Sequence, residues 1–148
     1  MLGGILMIIR QLSVLLMNEP GAMTSVLKLF DENSVNLRAL TLSDATEFSG
    51  ILRIIVKEPE ATEKLLRDSG YAVKNDPILT VPLEDDPGSL FEKVKMLSDA
   101  GINVEYTYAF ASSSNEARVV LKADKMELAE KILKGQQHYE DVNLEVYW

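Results

Sequence analysis

Apolar and polar positions alternate through Gln11-Leu-Ser-Val14, and Leu16 keeps the apolar phase until Asn18-Glu-Pro-Gly21 breaks it. A period of two that ends in turn residues predicts a strand. The period then lengthens: Met23, Val26, Leu27 and Phe30 fall at i, i+3, i+4 and i+7, the stripe of an amphipathic helix, which Asp31-Glu-Asn-Ser34 closes. Val35 to Ser43 and Ile51 to Lys57 predict two strands of a hairpin, with a longish loop from Asp44 to Gly50. Glu58-Pro59 opens a second helix carrying Ala61, Leu65 and Leu66, Gly70 stops it, and Tyr71 to Lys74 reads as a short strand.

The same order then recurs. Ile78 to Leu83 predicts a strand, Asp85-Asp-Pro-Gly88 a turn, and Leu90, Val94 and Leu97 a helix ending at Ala100-Gly101. Strands Ile102 to Phe110 and Ala117 to Lys122 flank Ser112-Ser-Ser-Asn115, followed by a helix over Met126 to Lys134 and a last strand over Val142 to Tyr147. Pro87, Gly88, Lys95 and Asn103 each stand 67 positions after Pro20, Gly21, Lys28 and Asn36. Matching Arg118 with Arg53 gives 65 instead, which predicts a loop-length difference after the hairpin. The expected fold is α+β: two ferredoxin-like βαββαβ units packed side by side, each an antiparallel sheet with helices on one face. Their expected bounds are residues 8–76 and 77–148, with the junction near Asn75-Asp-Pro77. Pro82 has no amide hydrogen for an interior ladder, so it marks where pairing ends.

Composition narrows the partners. The chain of 148 residues carries 15 Lys+Arg against 23 Asp+Glu, a net charge of −8, which argues against nucleic acid and anionic membranes. With no cysteine there is no disulfide, thiol nucleophile or thiolate zinc site, and a single histidine leaves little for imidazole metal sites, so no metal and no cofactor is expected. Met1 to Ile9 is apolar but lacks a basic lead, which reads as neither a signal peptide nor a span. A cytoplasmic protein is expected, with Met7 as the natural start and Met1 to Leu6 as a loose extension.

No set of residues forms a catalytic constellation. Asp85 and Asp86 are neighbours rather than a pair facing across a bond, and His138 lies in a polar loop without a nucleophile beside it. The duplicated turn is the better candidate for chemistry. Asn18 and Asp85, each two residues before a proline, are expected to cap the following helix, with the proline in its first turn. Gly21 and Gly88 lack a Cβ, so a carboxylate could approach the free N–H groups of the helix start. Asn36 and Asn103 offer amides able to donate and accept toward an amino acid.

A strand, then (Asn/Asp)-x-Pro-Gly, an amphipathic helix and Val35-Asn-Leu37 or Ile102-Asn-Val104 resembles the ACT domain, a small ligand-binding module of amino-acid metabolism. Gln11-Leu-Ser13, Ser49-Gly-Ile-Leu-Arg53 and Tyr106-Thr-Tyr-Ala-Phe-Ala111 resemble the bacterial proteins made of two such modules, and the likeness covers about residues 9 to 147. The resemblance implies a free amino acid bound between paired modules. Its ligand residues would be Asn18, Gly21, Ala22, Met23 and Asn36, with Asp85, Gly88, Ser89, Leu90 and Asn103 as the second copy. Tyr106 and Tyr108, standing where the first copy has Ala39 and Thr41, would shape a side-chain pocket and make the copies unequal. It also implies a sensor without its own catalysis, self-associated as a homodimer. The alternative is an interaction subunit that regulates a separate enzyme of amino-acid metabolism.

Overall fold

The computed structural model describes residues 6–84, 86–111 and 116–135. Two compact units are formed, one from Arg10–Pro77 and the other from Met1–Ile9 with Ile78–Trp148. The elements are β1 (Met7–Met17), α1 (Ala22–Glu32), β2 (Leu37–Asp44), β3 (Ser49–Val56), α2 (Pro59–Asp68), β4 (Val73–Pro82), α3 (Ser89–Asp99), β5 (Val104–Ala111), β6 (Ala117–Ala123) and α4 (Met126–Lys134). The expected strand at Val142 to Tyr147, the loop Ser112 to Asn115, His138 and Asp85 lie outside the described residues.

In the unit Arg10–Pro77 the strand order is β2-β3-β1-β4, the ferredoxin-like arrangement, with β3 antiparallel to both β1 and β2. Alternation decides the faces. Leu12, Val14 and Leu16 meet Leu52, Ile54 and Val56 in one core with Val26 and Phe30 of α1 and Leu66 of α2. Gln11, Ser13 and Leu15 point to the other, helix-free face with Ile51, Arg53 and Ile55. In the second unit β4, β6 and β5 are neighbours, and Leu79, Val81, Val119 and Leu121 pack with Leu97, Ala129 and Leu133. Leu6, expected in a loose extension, is 1% exposed in this second core, just before β1 begins at Met7.

The repeat is written in the hydrogen bonds. Leu12 pairs with Ile54 and Val14 with Leu52, and at 67 positions later Leu79 pairs with Leu121 and Val81 with Val119. Even the register irregularity between Leu37 and Ala39 recurs between Val104 and Tyr106. This constant spacing overturns the expected slip to 65. Arg53 pairs with Thr41, whereas Arg118 pairs with Phe110 and so matches Ile51 of the first copy. An arginine displaced by two residues stays on the same face of a strand, which makes the two look equivalent in sequence.

Helix ends follow the same rule. Val35 N–H donates to Phe30 O and Ile102 N–H to Leu97 O, both at 2.9 Å, closing α1 and α3 with the same six-to-one bond. The left-handed residue of that motif is Gly101 (φ 75°) in α3 but Ser34 (φ 54°) in α1. At the junction there is no break: β4 runs from Val73 through Pro77 to Pro82, joining the expected short strand to the next one. The strand's last residue is Pro82, but pairing does not stop there as expected: Pro82 stands opposite Arg118 and Leu83 N–H still donates to Ala117 O at 2.9 Å, so the missing donor does not end the ladder with β6.

Candidate functional site

Glu19-Pro-Gly-Ala22 is a type II turn. Ala22 N–H reaches Glu19 O at 3.4 Å, proline occupies the second position, and Gly21 takes φ 90°, ψ −15° in the third. Asp86-Pro-Gly-Ser89 repeats it, with Ser89 N–H to Asp86 O at 3.1 Å and Gly88 at φ 99°. Proline therefore serves the turn and not the first turn of the helix, and the glycine is the N-cap. The expected asparagine cap is also replaced. No side chain caps α1, and Asn18 turns to the β2–β3 loop, where its Nδ2 donates to Thr46 O (3.5 Å) and Glu47 O (3.4 Å) while its N–H donates to Phe48 O (2.9 Å).

The first helical bond of α1 runs from Ser25 N–H to Gly21 O at 3.0 Å. Among the described residues the amides of Met23 and Thr24 meet no acceptor, and they lie at the positive end of the helix dipole. Beside them opens a cavity of about 270 Å³. Leu16, Met17, Asn18 and Glu19 form one wall, and Ala22 and Met23 of the helix another. Leu42, Ser43 and Asp44 of β2, with Gly50 of β3, complete it.

The structure thus brings Asn18, Ala22 and Met23 to one cavity, with Gly21 between them. A Cβ built on Gly21 or Gly88 would meet nothing within 4 Å, so the backbone stands open to approach at both turns. Asn36 lies elsewhere. It lines an open groove of about 470 Å³ with Lys57, Glu58 and Thr62. That groove is at the opposite end of β2, roughly 25 Å along the strand by the rise per residue. Asn103 sits at the matching place, its N–H donating to Asp124 Oδ1 at 3.0 Å. Both asparagine carbonyls accept a backbone amide, Lys57 N–H for Asn36 and Asp124 N–H for Asn103, each at 3.1 Å.

The second copy differs in its walls. Glu84, Ser89 and Lys93 occupy the places of Met17, Ala22 and Val26, and they bond to one another: Lys93 Nζ to Ser89 Oγ at 3.1 Å, Ser89 Oγ to Glu84 at 3.4 Å, and Lys93 to Glu84 at 3.9 Å. Leu90 of α3 is partly buried against the core. Tyr106 and Tyr108 are half-buried on β5, which pairs with β6, and they share the helix-free face with Val120 and Arg118. Arg118 is buried there, its Nε and Nη2 donating to Thr80 Oγ1 (3.2 and 3.1 Å) and Nη2 to Thr80 O (3.0 Å). Burial pushes the Arg118 guanidinium pKa below its ordinary value, against the opposing field of Glu116.

Leu42, Ser43, Asp44 and Gly50 are cavity residues that sequence reasoning missed. Asp44 and Gly50 bound the hairpin loop and read there as turn residues; only the pairing of Asp44 with Gly50 carries them to the β1–α1 turn.

A family model described as an ACT domain pair matches residues 7–146. No curated protein matches the chain. Among solved structures, a protein from Bacteroides thetaiotaomicron is 33% identical, with a TM-score of 0.79 over 88% of this chain and 90% of that one. The regulatory subunit of aspartate kinase from Thermus thermophilus, in ligand-free form, shares 15% identity and a TM-score of 0.58 over 90% of this chain and 97% of its own. The corresponding subunit from Thermus flavus gives 12% identity and 0.54, over 88% and 95%. At those identities the last two show the fold alone. With the duplicated βαββ hydrogen-bond pattern and the Pro-Gly turn before each first helix, the match over nearly the whole chain settles the family: the chain belongs to the ACT domain family, as an ACT domain pair.

Proposed function

We propose that this ACT pair is a cytoplasmic, non-catalytic sensor that binds a free amino acid where the first type II turn meets α1. The cavity of about 270 Å³ beside that turn carries the reading, since it combines free amide donors, a carboxylate and apolar walls within the span of a small ligand. The α-carboxylate of the ligand accepts from the Met23 and Thr24 amides, where the helix dipole favours negative charge. Its α-ammonium pairs with Asp44, and the open backbone at Gly21 admits the close approach. Thermal unfolding of the whole chain against each free amino acid tests this. A ligand at 100 times its dissociation constant stabilises by about 2.7 kcal/mol, a readable rise in Tm, and indifference to every amino acid would refute the reading.

A second reading, a subunit that regulates a separate enzyme, is favoured by Phe48. This ring is 70% exposed on the loop that Asn18 holds, so the loop beside the cavity offers a surface through which occupancy could be passed on. An amino-acid-dependent complex with an enzyme, weakened by Phe48→Ser, is its expected signature.

A further inference from the structure

The cavity's lining carries a preference of its own. Its apolar walls are Leu16 and Met17 at the end of β1, Met23 on α1 and Leu42 on β2. Leu42 is 47% exposed and shares the helix side of the sheet with its partner Leu52, so it stands uncovered where a ligand side chain would lie. The ionisable groups among the lining residues are Glu19 and Asp44, both carboxylates, and no Lys, Arg or His joins them.

Resting on the amino-acid reading above, we infer that this cavity selects a neutral aliphatic or thioether amino acid, of the size class from valine to methionine, and rejects acidic ones. An acidic side chain would meet two carboxylates with no cation to pair with, which disfavours its charged form. An aliphatic side chain leaves water for Leu42 and Met23 and asks nothing of the carboxylates beyond the α-ammonium contact. A lysine side chain that turns its cation to the Glu19 carboxylate forgoes the apolar contact with Leu42 and Met23 that an aliphatic one makes. Among the described residues the other unit lacks this surface. At the positions equivalent to Met17, Ala22 and Leu42 it has Glu84, Ser89 and Ala109, and the first two are held in the network with Lys93. On the described residues, one aliphatic site per chain follows.

Titration calorimetry of the whole chain with L-leucine, L-methionine, L-valine, L-aspartate and L-lysine decides it, alongside the thermal screen. Leucine, methionine or valine should bind at one per chain, and at least about tenfold more tightly than aspartate or lysine, the scale of discrimination that a hydrophobic pocket achieves. Leu42→Ala should weaken the preferred ligand by about tenfold, and exposure of Leu42 makes the folded variant attainable. Aspartate or lysine binding as tightly as the aliphatic probes overturns the selectivity while leaving the amino-acid site standing, as does unchanged affinity in Leu42→Ala or two aliphatic sites per chain. Failure of all free amino acids to bind removes the underlying reading instead.

Discussion

Single backbone angles govern the turns of this protein. Gly21 and Gly88 sit at φ 90° and 99° with open space around the missing Cβ, so an alanine there meets conformational strain and no clash. Gly21→Ala is expected to lose about 1–2 kcal/mol in urea unfolding, and Gly21→Asn less, because asparagine tolerates the left-handed region better. Ser34 presents the converse case. It holds φ 54° where Gly101 ends the equivalent helix, so Ser34→Gly should gain about 0.5–1 kcal/mol, measured the same way. Pro-Gly was legible in the sequence as a turn. The role of Asn18 was not, because choosing between a helix cap and a neighbouring loop depends on where β2–β3 lies, a contact some thirty positions away.

At the scale of elements, β1, β4 and α2 are tied by polar side chains. Arg10 Nε donates to Asn75 Oδ1 (2.8 Å) and Nη2 to Asn75 O (2.9 Å), Asn75 Nδ2 donates to Glu63 Oε1 (2.8 Å), and Arg67 Nε donates to Glu63 Oε2 (2.9 Å). The hydrogen bonds from Asn75 and then Arg67 hold the Glu63 carboxyl below its ordinary value of 4.5. A depressed folded pKa stabilises fully above the unfolded value, about 4.5 here, and the stabilisation fades as pH falls through the folded one. Asn75→Leu should therefore flatten the dependence of stability on pH below that value, read as urea midpoints across the acid range. In Glu63→Gln the same substitution at Asn75 should leave the acid limb unchanged. The four helices were readable from period alone, whereas this network was not: Asn75 falls at an apparent junction that is in fact the middle of β4, and its partners lie on separate elements.

Over the whole molecule the chain's order and its units do not coincide. The unit Ile78–Trp148 takes in Met1–Ile9, and Leu6 belongs to its core. Leu6→Ala should cost about 2–5 kcal/mol, the range for a buried leucine, and residues 77–148 expressed without the amino-terminal strand should be markedly less stable than the whole chain by thermal unfolding. Edge strands bear on assembly. Among the described residues β2 and β5 each have a strand neighbour on one side only, and an unpaired edge is a template for another chain. We propose a symmetric homodimer on that basis, to be read by sedimentation at tens of micromolar, where a pure monomer would count against it.

The sequence by itself determined the repeated order of strands and helices and the Pro-Gly turn before each first helix, because these follow from local period, chirality and backbone freedom. Tertiary structure alone decided the rest. Strand pairing set the register that separates Arg53 from Arg118, sent Leu6 into the far half's core, and brought Leu42 and Asp44 beside Met23 while leaving Asn36 at the other end of the strand. Such juxtapositions are sums of many weak contacts between residues distant in the chain, and no local pattern carries them.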